Sequence, residues 1–151
     1  MTAPLTDYYV DPSIAANSGA GTIGDPYGDL QYALDTVTAD TADGDRFNVK
    51  AGTSESLTAV LSFATYGAPS YLRPVEIRGY TSASSDGGQG SIDCNANQCI
   101  NATAGVSFVD MEIFDGPSGD WMVELGLHGC IINCEVHTTS GDGVLVNSYG
   151  V

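Results

Sequence analysis

Two glutamates, Glu112 and Glu135, stand 23 residues apart in segments that match position by position. Residues 108–114 read FVDMEIF and residues 131–137 read IINCEVH. If these segments are neighbouring strands, about 4.8 Å apart, their glutamates come close together. A retaining glycosidase needs two carboxyl groups about 5 to 5.5 Å apart. Glu112 and Glu135 are therefore the candidate catalytic pair, with His137 on a neighbouring corner.

The same spacing also has a structural explanation. A repeating chain with a polar outer face stacks like residues on one another, and two close carboxylates repel unless a cation or a raised pKa relieves them. We favour a structural role for the pair over catalysis. Calcium binding is an intermediate alternative, because calcium takes flexible oxygen ligands. The candidate calcium ligands are Asp110, Glu112, Glu135 and Asp142.

The four cysteines fall into two pairs by spacing. Cys94 and Cys99 flank four residues and could close a small disulfide loop, whereas Cys130 and Cys134 belong to one strand-corner-strand unit. These spacings do not favour zinc, which prefers tighter pairs with histidine nearby. Cys134 takes the inward position that Met111 has one repeat earlier, so we expect it to be a small buried apolar residue.

The elements that position these side chains repeat with the same 23-residue offset. Residues 100–102, 123–125 and 146–148 share one register. A period in the low twenties, with short alternating strands separated by Gly, Asn, Asp and Ser, is typical of a β-solenoid. Alternation places Met111 and Ile113 inward. Asp110 and the matching Asn133 would form the corners, because both residue types tolerate a left-handed backbone.

The N-terminal residues predict a strand, a helix and a second strand. Residues 7–12 form a short strand that a proline ends, and residues 46–53 form an alternating strand. Between them Asp25 and Pro26 make a good helix start, and the helix should end near Ala39. One helical face is apolar and carries Leu30, Ala33, Leu34 and Val37.

This order, with its YYVDP, PYGDLQYALD and GDRFNVKAGT motifs, resembles the N-terminal cap of the pectate-lyase-like right-handed β-helix superfamily. The resemblance implies an all-β, right-handed parallel β-helix whose open end is plugged by an N-terminal capping α-helix. Members of the superfamily include polysaccharide lyases and hydrolases, bacterial surface proteins, bacteriophage tail spikes and other virion appendages. Because this fold carries many unrelated activities, the resemblance is more specific for fold than for function.

A lyase is poorly supported by the basic residues. Lyases of this superfamily use Arg or Lys as base and charge neutraliser. The four basic residues here all precede the regular repeats and match no such motif: Arg46, Lys50, Arg73 and Arg78. Catalytic triads, phosphate-binding loops and dinucleotide fingerprints are also missing from the sequence.

The chain divides into three parts. Residues 1–53 form the cap, residues 54–98 form irregular first coils with a Gly/Ser loop over 82–90, and residues 99–151 form regular coils that we expect to continue beyond 151. Within the middle part, residues 57–63 and 75–79 are apolar enough to be strands. The Gly/Ser loop is either a binding surface or an ordinary surface loop.

Composition limits the partners. The 151 residues carry a net charge of −15, with 19 acidic and 4 basic residues, which argues against binding nucleic acid, an anionic membrane or a polyanionic substrate. Apolar runs fall short of the roughly 20 residues of a membrane span. The first residues lack the pattern of a secretory signal, so we expect synthesis and folding in a cytoplasm.

Together these features lead to the hypothesis of a non-enzymatic structural protein on a bacteriophage virion. It would be a tail spike, a tail fibre or a capsid-decorating protein, assembled in the host cytoplasm. Expected partners are other virion proteins, further copies of the chain and, as an option, a host surface glycan. The alternatives are a glycan-cleaving hydrolase or lyase, and a bacterial surface adhesin in an extracellular or cell-surface location.

Overall fold

The computed structural model describes residues 5–38, 43–138 and 142–146. These ranges contain twelve strands and one helix. The elements are β1 (Thr6–Val10), α1 (Leu30–Thr36), β2 (Asp45–Lys50), β3 (Glu55–Ser56), β4 (Val75–Tyr80), β5 (Gly90–Asp93), β6 (Ile100–Thr103), β7 (Val106–Val109), β8 (Met111–Phe114), β9 (Trp121–Leu125), β10 (Cys130–Ile132), β11 (Glu135–His137) and β12 (Asp142–Val146). Among the described residues, no helix has the length and apolar character needed to cross a membrane.

All strand pairs are parallel and belong to three sheets. The first sheet has the order β1-β2-β4-β7-β10, the second β11-β8-β5-β3 and the third β12-β9-β6. From β4 onward the chain visits the first, second and third sheets in turn. Each sheet therefore pairs strands that are distant in sequence, and the connections between consecutive strands run from sheet to sheet.

The predicted right-handed parallel β-helix is wrong. The strands form three small sheets of five, four and three strands, and none of the sheets is closed or solenoid-like. The spacing along the first sheet is also uneven. Successive paired residues are 39, 30, 31 and 23 positions apart: Thr6 with Asp45, Asp45 with Val75, Val75 with Val106, and Ser107 with Cys130.

The 23-residue register itself is present in part of the chain. Glu135 pairs with Glu112 and Val123 pairs with Ile100. The predicted position of Val146 opposite Val123 is wrong, because Val144 takes that place. The connection over 138–141 is two residues shorter than the equivalent connection over 115–120, so β12 shifts by two positions.

Alternation along the strands was predicted correctly. Met111 and Ile113 on β8 are fully buried in the hydrophobic core, as are Val106 and Phe108 on β7. The corners are left-handed as expected, with φ of +54° at Asp110 and +50° at Asn133. Short polar side chains tolerate this conformation better than others do, so each corner leads the chain from one sheet into the next.

Helix α1 begins later and ends earlier than predicted. Its N-cap is Asp29, whose carboxylate accepts a hydrogen bond from the backbone N–H of Tyr32 at 2.6 Å. Asp25 and Pro26 are not the start, because the next residue, Tyr27, binds β1: its N–H donates to the Tyr9 carbonyl. The helix stops at Thr36, and the predicted end at residue 39 lies outside the described residues.

The strand predicted over 57–63 is absent from the described structure. These residues form a loop that packs under the helix, with Leu57, Leu61 and Phe63 buried. The loop is tied down by hydrogen bonds of Gln31, whose side chain binds both the N–H and the carbonyl of Ser62. Burial alone therefore explains the apolar pattern that suggested a strand.

The Gly/Ser loop over 82–90 is an ordered turn on the outer face of the first sheet. The Asp86 carboxylate accepts hydrogen bonds from four backbone N–H groups, and these bonds hold its pKa well below the usual range. Ser84 binds the side chains of Asp7 and Asn48 on that sheet. The loop is therefore fastened at its own base and against β1 and β2.

Where the chain leaves this loop and enters β5, its backbone passes so close to β4 that position 79 must be a glycine. A Cβ there would lie 2.2 Å from the Asp110 carbonyl oxygen and 2.2 Å from the Gly90 nitrogen. Real Cβ atoms do not approach backbone this closely, and backbone cannot move away as a flexible side chain can. Gly24, by contrast, would have no heavy atom within 4 Å of its Cβ.

We expect Gly79→Ala to lower the free energy of unfolding by about 2 kcal/mol or more, because the added methyl group overpacks the sheet. The matched control Gly24→Ala should stay within about 0.5 kcal/mol of the parent. Urea denaturation followed by circular dichroism measures both values. Equal midpoints for the two variants would show that the backbone approach at Gly79 is not tight.

Candidate functional site

The structure brings the predicted glutamates together. Glu112 on β8 and Glu135 on β11 are directly paired on the outward face of the second sheet. His137 joins them: its Nε2 lies 3.2 Å from Glu135 Oε2 and 3.5 Å from Glu112 Oε1. The three ligand-type atoms lie within 4.8 Å of one another. We call these residues the Glu-Glu-His cluster.

The Glu-Glu-His cluster is open to solvent. The side chains of Glu112, Glu135 and His137 are 39%, 63% and 56% exposed. Water therefore solvates both carboxylates, and the imidazole, when protonated, can offset their mutual repulsion. A carboxyl group that acts as a general acid near neutral pH needs shielding from water, which this surface does not supply.

The cluster is also a poor match to a calcium site. Calcium takes six to eight oxygen ligands, whereas this cluster offers two carboxylates and a nitrogen. Asp110 is not part of the cluster. Its carboxylate accepts a 2.7 Å hydrogen bond from the side-chain amide of Asn133 at the corner. Asp142 lies in β12 opposite Trp121, and its side chain is outside the described residues.

A cavity of about 250 Å³ adjoins the cluster on one side. Its walls come from the corner residues and from the Gly/Ser loop, and they include Glu135: Gly87, Gln89, Asp110, Asn133, Cys134 and Glu135. Glu112 and His137 do not line it. The cavity therefore faces only one of the two paired carboxylates, and a substrate held there would not lie between them.

The cysteines occupy the positions that their spacing suggested. Cys94 and Cys99 are buried free thiols, and Cys99 hydrogen-bonds to Cys94. Cys130 is exposed and its Sγ lies 3.1 Å from Ser107 Oγ, its partner one strand away. Cys134 is partly buried against the core, as the match to Met111 predicted. The disulfide between Cys94 and Cys99 stays a prediction.

A second acidic site was missed by the sequence analysis. A cleft of about 320 Å³ lies between α1 and the residues that follow β3. Three carboxyl groups line it, together with amide, hydroxyl and small apolar groups; the acidic members are Asp29, Asp35 and Glu55. We call this feature the acidic cleft.

Glu55 is the unusual member of the acidic cleft. It is only 4% exposed. Burial, together with the negative charge of Asp29, raises its pKa to about 7, although a hydrogen bond from the backbone N–H of Leu30 acts in the opposite direction. A buried carboxyl that holds its proton near neutral pH, next to a second carboxyl group, has the arrangement of an acid/base pair.

The same contacts give Glu55 a structural role. Leu30 is the first residue of α1, and Asp29 caps the helix by accepting from Tyr32. Glu55 and Asp29 therefore both accept hydrogen bonds from the N-terminal N–H groups of the helix, which have no partners within the helix. Together they fasten the helix to β3.

One signal in the sequence could have revealed this cleft. Glu55 and Leu57 are two positions apart, so they share a face of an extended chain. Since Leu57 is buried, Glu55 must also face inward. Because the predicted helix started at Asp25 instead of Asp29, the sequence did not indicate that Asp29 lies near Glu55.

Glu55 should make the stability of the protein depend on pH. Its pKa rises from 4.5 in the unfolded chain to about 7 in the folded protein, so the folded state holds the extra proton between these values. The stabilisation that Glu55 itself contributes is therefore complete below pH 4.5 and is lost as pH rises through about 7. A shift of this size corresponds to about 3 kcal/mol for so buried a group.

We expect Glu55→Gln to remove the loss of stability that ionisation of Glu55 causes as pH rises. Relative to the parent, the variant should gain stability as pH rises from 4.5 to 7, because glutamine keeps the shape and the acceptor oxygen but never ionises. Urea denaturation across that pH range measures the difference. The control is Asp35→Asn, an exposed residue of the same cleft, which should follow the parent curve. Parallel curves for Glu55→Gln and the parent would mean that Glu55 titrates normally.

The exposed Glu-Glu-His cluster should contribute little to stability. We expect Glu112→Gln and Glu135→Gln to change the free energy of unfolding by less than about 0.5 kcal/mol, as is usual for solvated surface groups. The values should be the same with and without millimolar Ca²⁺, with Mg²⁺ as the control for ionic strength. A rise in Tm that only Ca²⁺ produces, and that both variants abolish, would establish a calcium site.

Comparison with protein-family profiles, with curated proteins and with solved structures found no match to this chain. Any functional assignment therefore depends on the residues and their geometry.

Proposed function

We propose that this protein is a non-enzymatic structural component of a bacteriophage virion surface, as part of a tail spike or fibre or as a capsid-decorating protein. The observation that carries the non-enzymatic part is the exposure of Glu112 and Glu135, at 39% and 63%. A pair that acts by acid/base chemistry needs one carboxyl shielded from water. Both carboxylates of this pair are solvated, and they lie side by side because β8 and β11 pair in register.

The basic residues support the same conclusion for lyase chemistry. Arg46 binds Glu76 at 2.6 Å and Asp7 at 3.3 Å, and Arg78 lies 2.9 Å from Glu76. Lys50 binds Asp11 at 2.6 Å. All three cations are held by carboxylates at the first sheet. Arg46 and Lys50 link β2 to neighbouring segments, whereas Arg78 and Glu76 both lie on β4.

The virion part of the proposal is supported by charge. An excess of 15 negative charges keeps a particle soluble and does not attract nucleic acid. Other virion proteins and further copies of the chain are the proposed partners, with a host surface glycan as an optional ligand.

A second candidate function is glycan hydrolysis in the acidic cleft. The specific observation in its favour is the buried Glu55 beside Asp29, in a cleft large enough to admit a small part of a chain molecule. We rank it second because both carboxyl groups already hold the start of α1.

The location is tested in purified phage. We expect the chain in virions banded on a density gradient, at a copy number that fits the symmetry of a tail or a shell, as measured by quantitative mass spectrometry. A major capsid protein of known copy number calibrates the count, and a non-structural phage protein controls for carry-over. Absence from the particle, or the same trace level as the non-structural control, would refute the virion role.

The chemistry is tested with host capsular polysaccharide. We expect neither new reducing ends nor unsaturated products from the parent protein. Three variants locate any activity that is found: Glu55→Gln, Glu112→Gln and Glu135→Gln. Loss of turnover in Glu55→Gln alone would establish the second candidate function. Loss of turnover in Glu112→Gln or Glu135→Gln would show instead that the exposed pair is catalytic.

A further inference from the structure

Cys94 and Cys99 lie on the two sides of the turn that leads from the second sheet to the third. Cys94 directly follows β5 and Cys99 directly precedes β6. The turn between them is tight, with left-handed φ angles of +47° at Asn95 and +61° at Ala96. The N–H of Asn97 donates to the Cys94 carbonyl at 2.8 Å. The chain thus turns back and brings the two cysteines together.

The sheets also hold the backbone of both cysteines. The N–H of Cys94 donates to the Phe114 carbonyl at 2.9 Å, and the N–H of Cys99 donates to the Met122 carbonyl at 2.7 Å. Each cysteine is thereby fixed to the next strand of its own sheet. The registers of the two sheets, and not the turn alone, therefore hold Cys94 and Cys99 near each other.

The two thiols meet inside the core. Both residues are 0% exposed and belong to the continuous hydrophobic cluster. The Cys99 thiol hydrogen-bonds to Cys94, and this contact and burial raise its pKa well above the usual range. Among the described residues, the group that could hold a metal ion does not include these cysteines.

We propose that Cys94 and Cys99 form a disulfide when the chain folds in the presence of a small-molecule disulfide, cross-linking the exit of β5 to the entry of β6. The thiolate of one cysteine attacks the reagent and releases one equivalent of small thiol. The second cysteine then attacks the mixed disulfide and releases the other. Two protein thiols are oxidised, one reagent disulfide is reduced to two thiols, and no other redox partner is needed.

Burial sets the time at which this reaction occurs. A thiol with a raised pKa and no exposed surface reacts only when the structure opens. Oxidation therefore belongs to folding, before the core closes. In the folded, reduced protein the exposed Cys130 should react with a thiol reagent on the order of 100-fold faster than Cys94 or Cys99.

The test refolds the full chain from the reduced, denatured state in a buffer of oxidised and reduced glutathione. The chain is then unfolded in denaturant so that buried thiols become accessible, remaining thiols are blocked with iodoacetamide, and the chain is cleaved after glutamate. Fragment 77–112 then carries Cys94 and Cys99, and fragment 125–135 carries Cys130 and Cys134. We expect fragment 77–112 to lack two hydrogens and to carry no label, and fragment 125–135 to carry two labels.

Variants and a reduced control complete the experiment. Cys130→Ser should retain the bond, whereas Cys94→Ser should leave Cys99 labelled. Parent protein refolded with reduced glutathione alone should carry four labels. The mass of the parent fragments decides the question even if Cys94→Ser does not fold. Full labelling of fragment 77–112 after oxidative refolding, or a bond that includes Cys130, would overturn the proposal.

Discussion

The three sheets depend on the in-register burial of apolar side chains from successive parallel strands. In the first sheet Phe47, Ile77 and Phe108 lie directly opposite one another and are fully buried. In the second, Ile113 pairs with Ile92 and is equally buried. Each such side chain contributes about 1.5 to 3 kcal/mol. A slip of one residue would turn it to solvent, so the register is fixed by the core, and all outward side chains follow from it.

Features that depend on neighbouring residues could be predicted from the sequence. Alternation located Met111 and Ile113 inside, and the left-handed preference of Asp110 and Asn133 located the corners. The juxtaposition of Glu112 and Glu135 followed from the same alternation, since matching segments paired in register. The same alternation places His137 on that face, because it lies two residues after Glu135 on β11 and not on a corner as predicted.

Features that depend on distant contacts could not be predicted. Asp25 and Pro26 are a sound helix start by local rules, but pairing of Tyr27 with the end of β1 competes with helix formation and wins. The β-helix was inferred from the 23-residue offset of residues 99–151 and from the N-terminal motifs. These local features do not specify how distant strands assemble, and the strands form three small open sheets with spacings such as the 39 positions between paired Thr6 and Asp45.

The two acidic sites show that burial matters more than proximity for what carboxyl groups can do. Glu112 and Glu135 are closely paired, but both side chains are exposed to water and lie beside His137. Glu55 is removed from water and retains its proton near neutral pH. Ionisation of Glu55 strengthens its hydrogen bond to Leu30 but brings a buried charge beside Asp29. Glu55 therefore fastens α1 but destabilises it as pH rises. A structural protein can tolerate this, whereas an enzyme could use it only if the cleft also held a substrate.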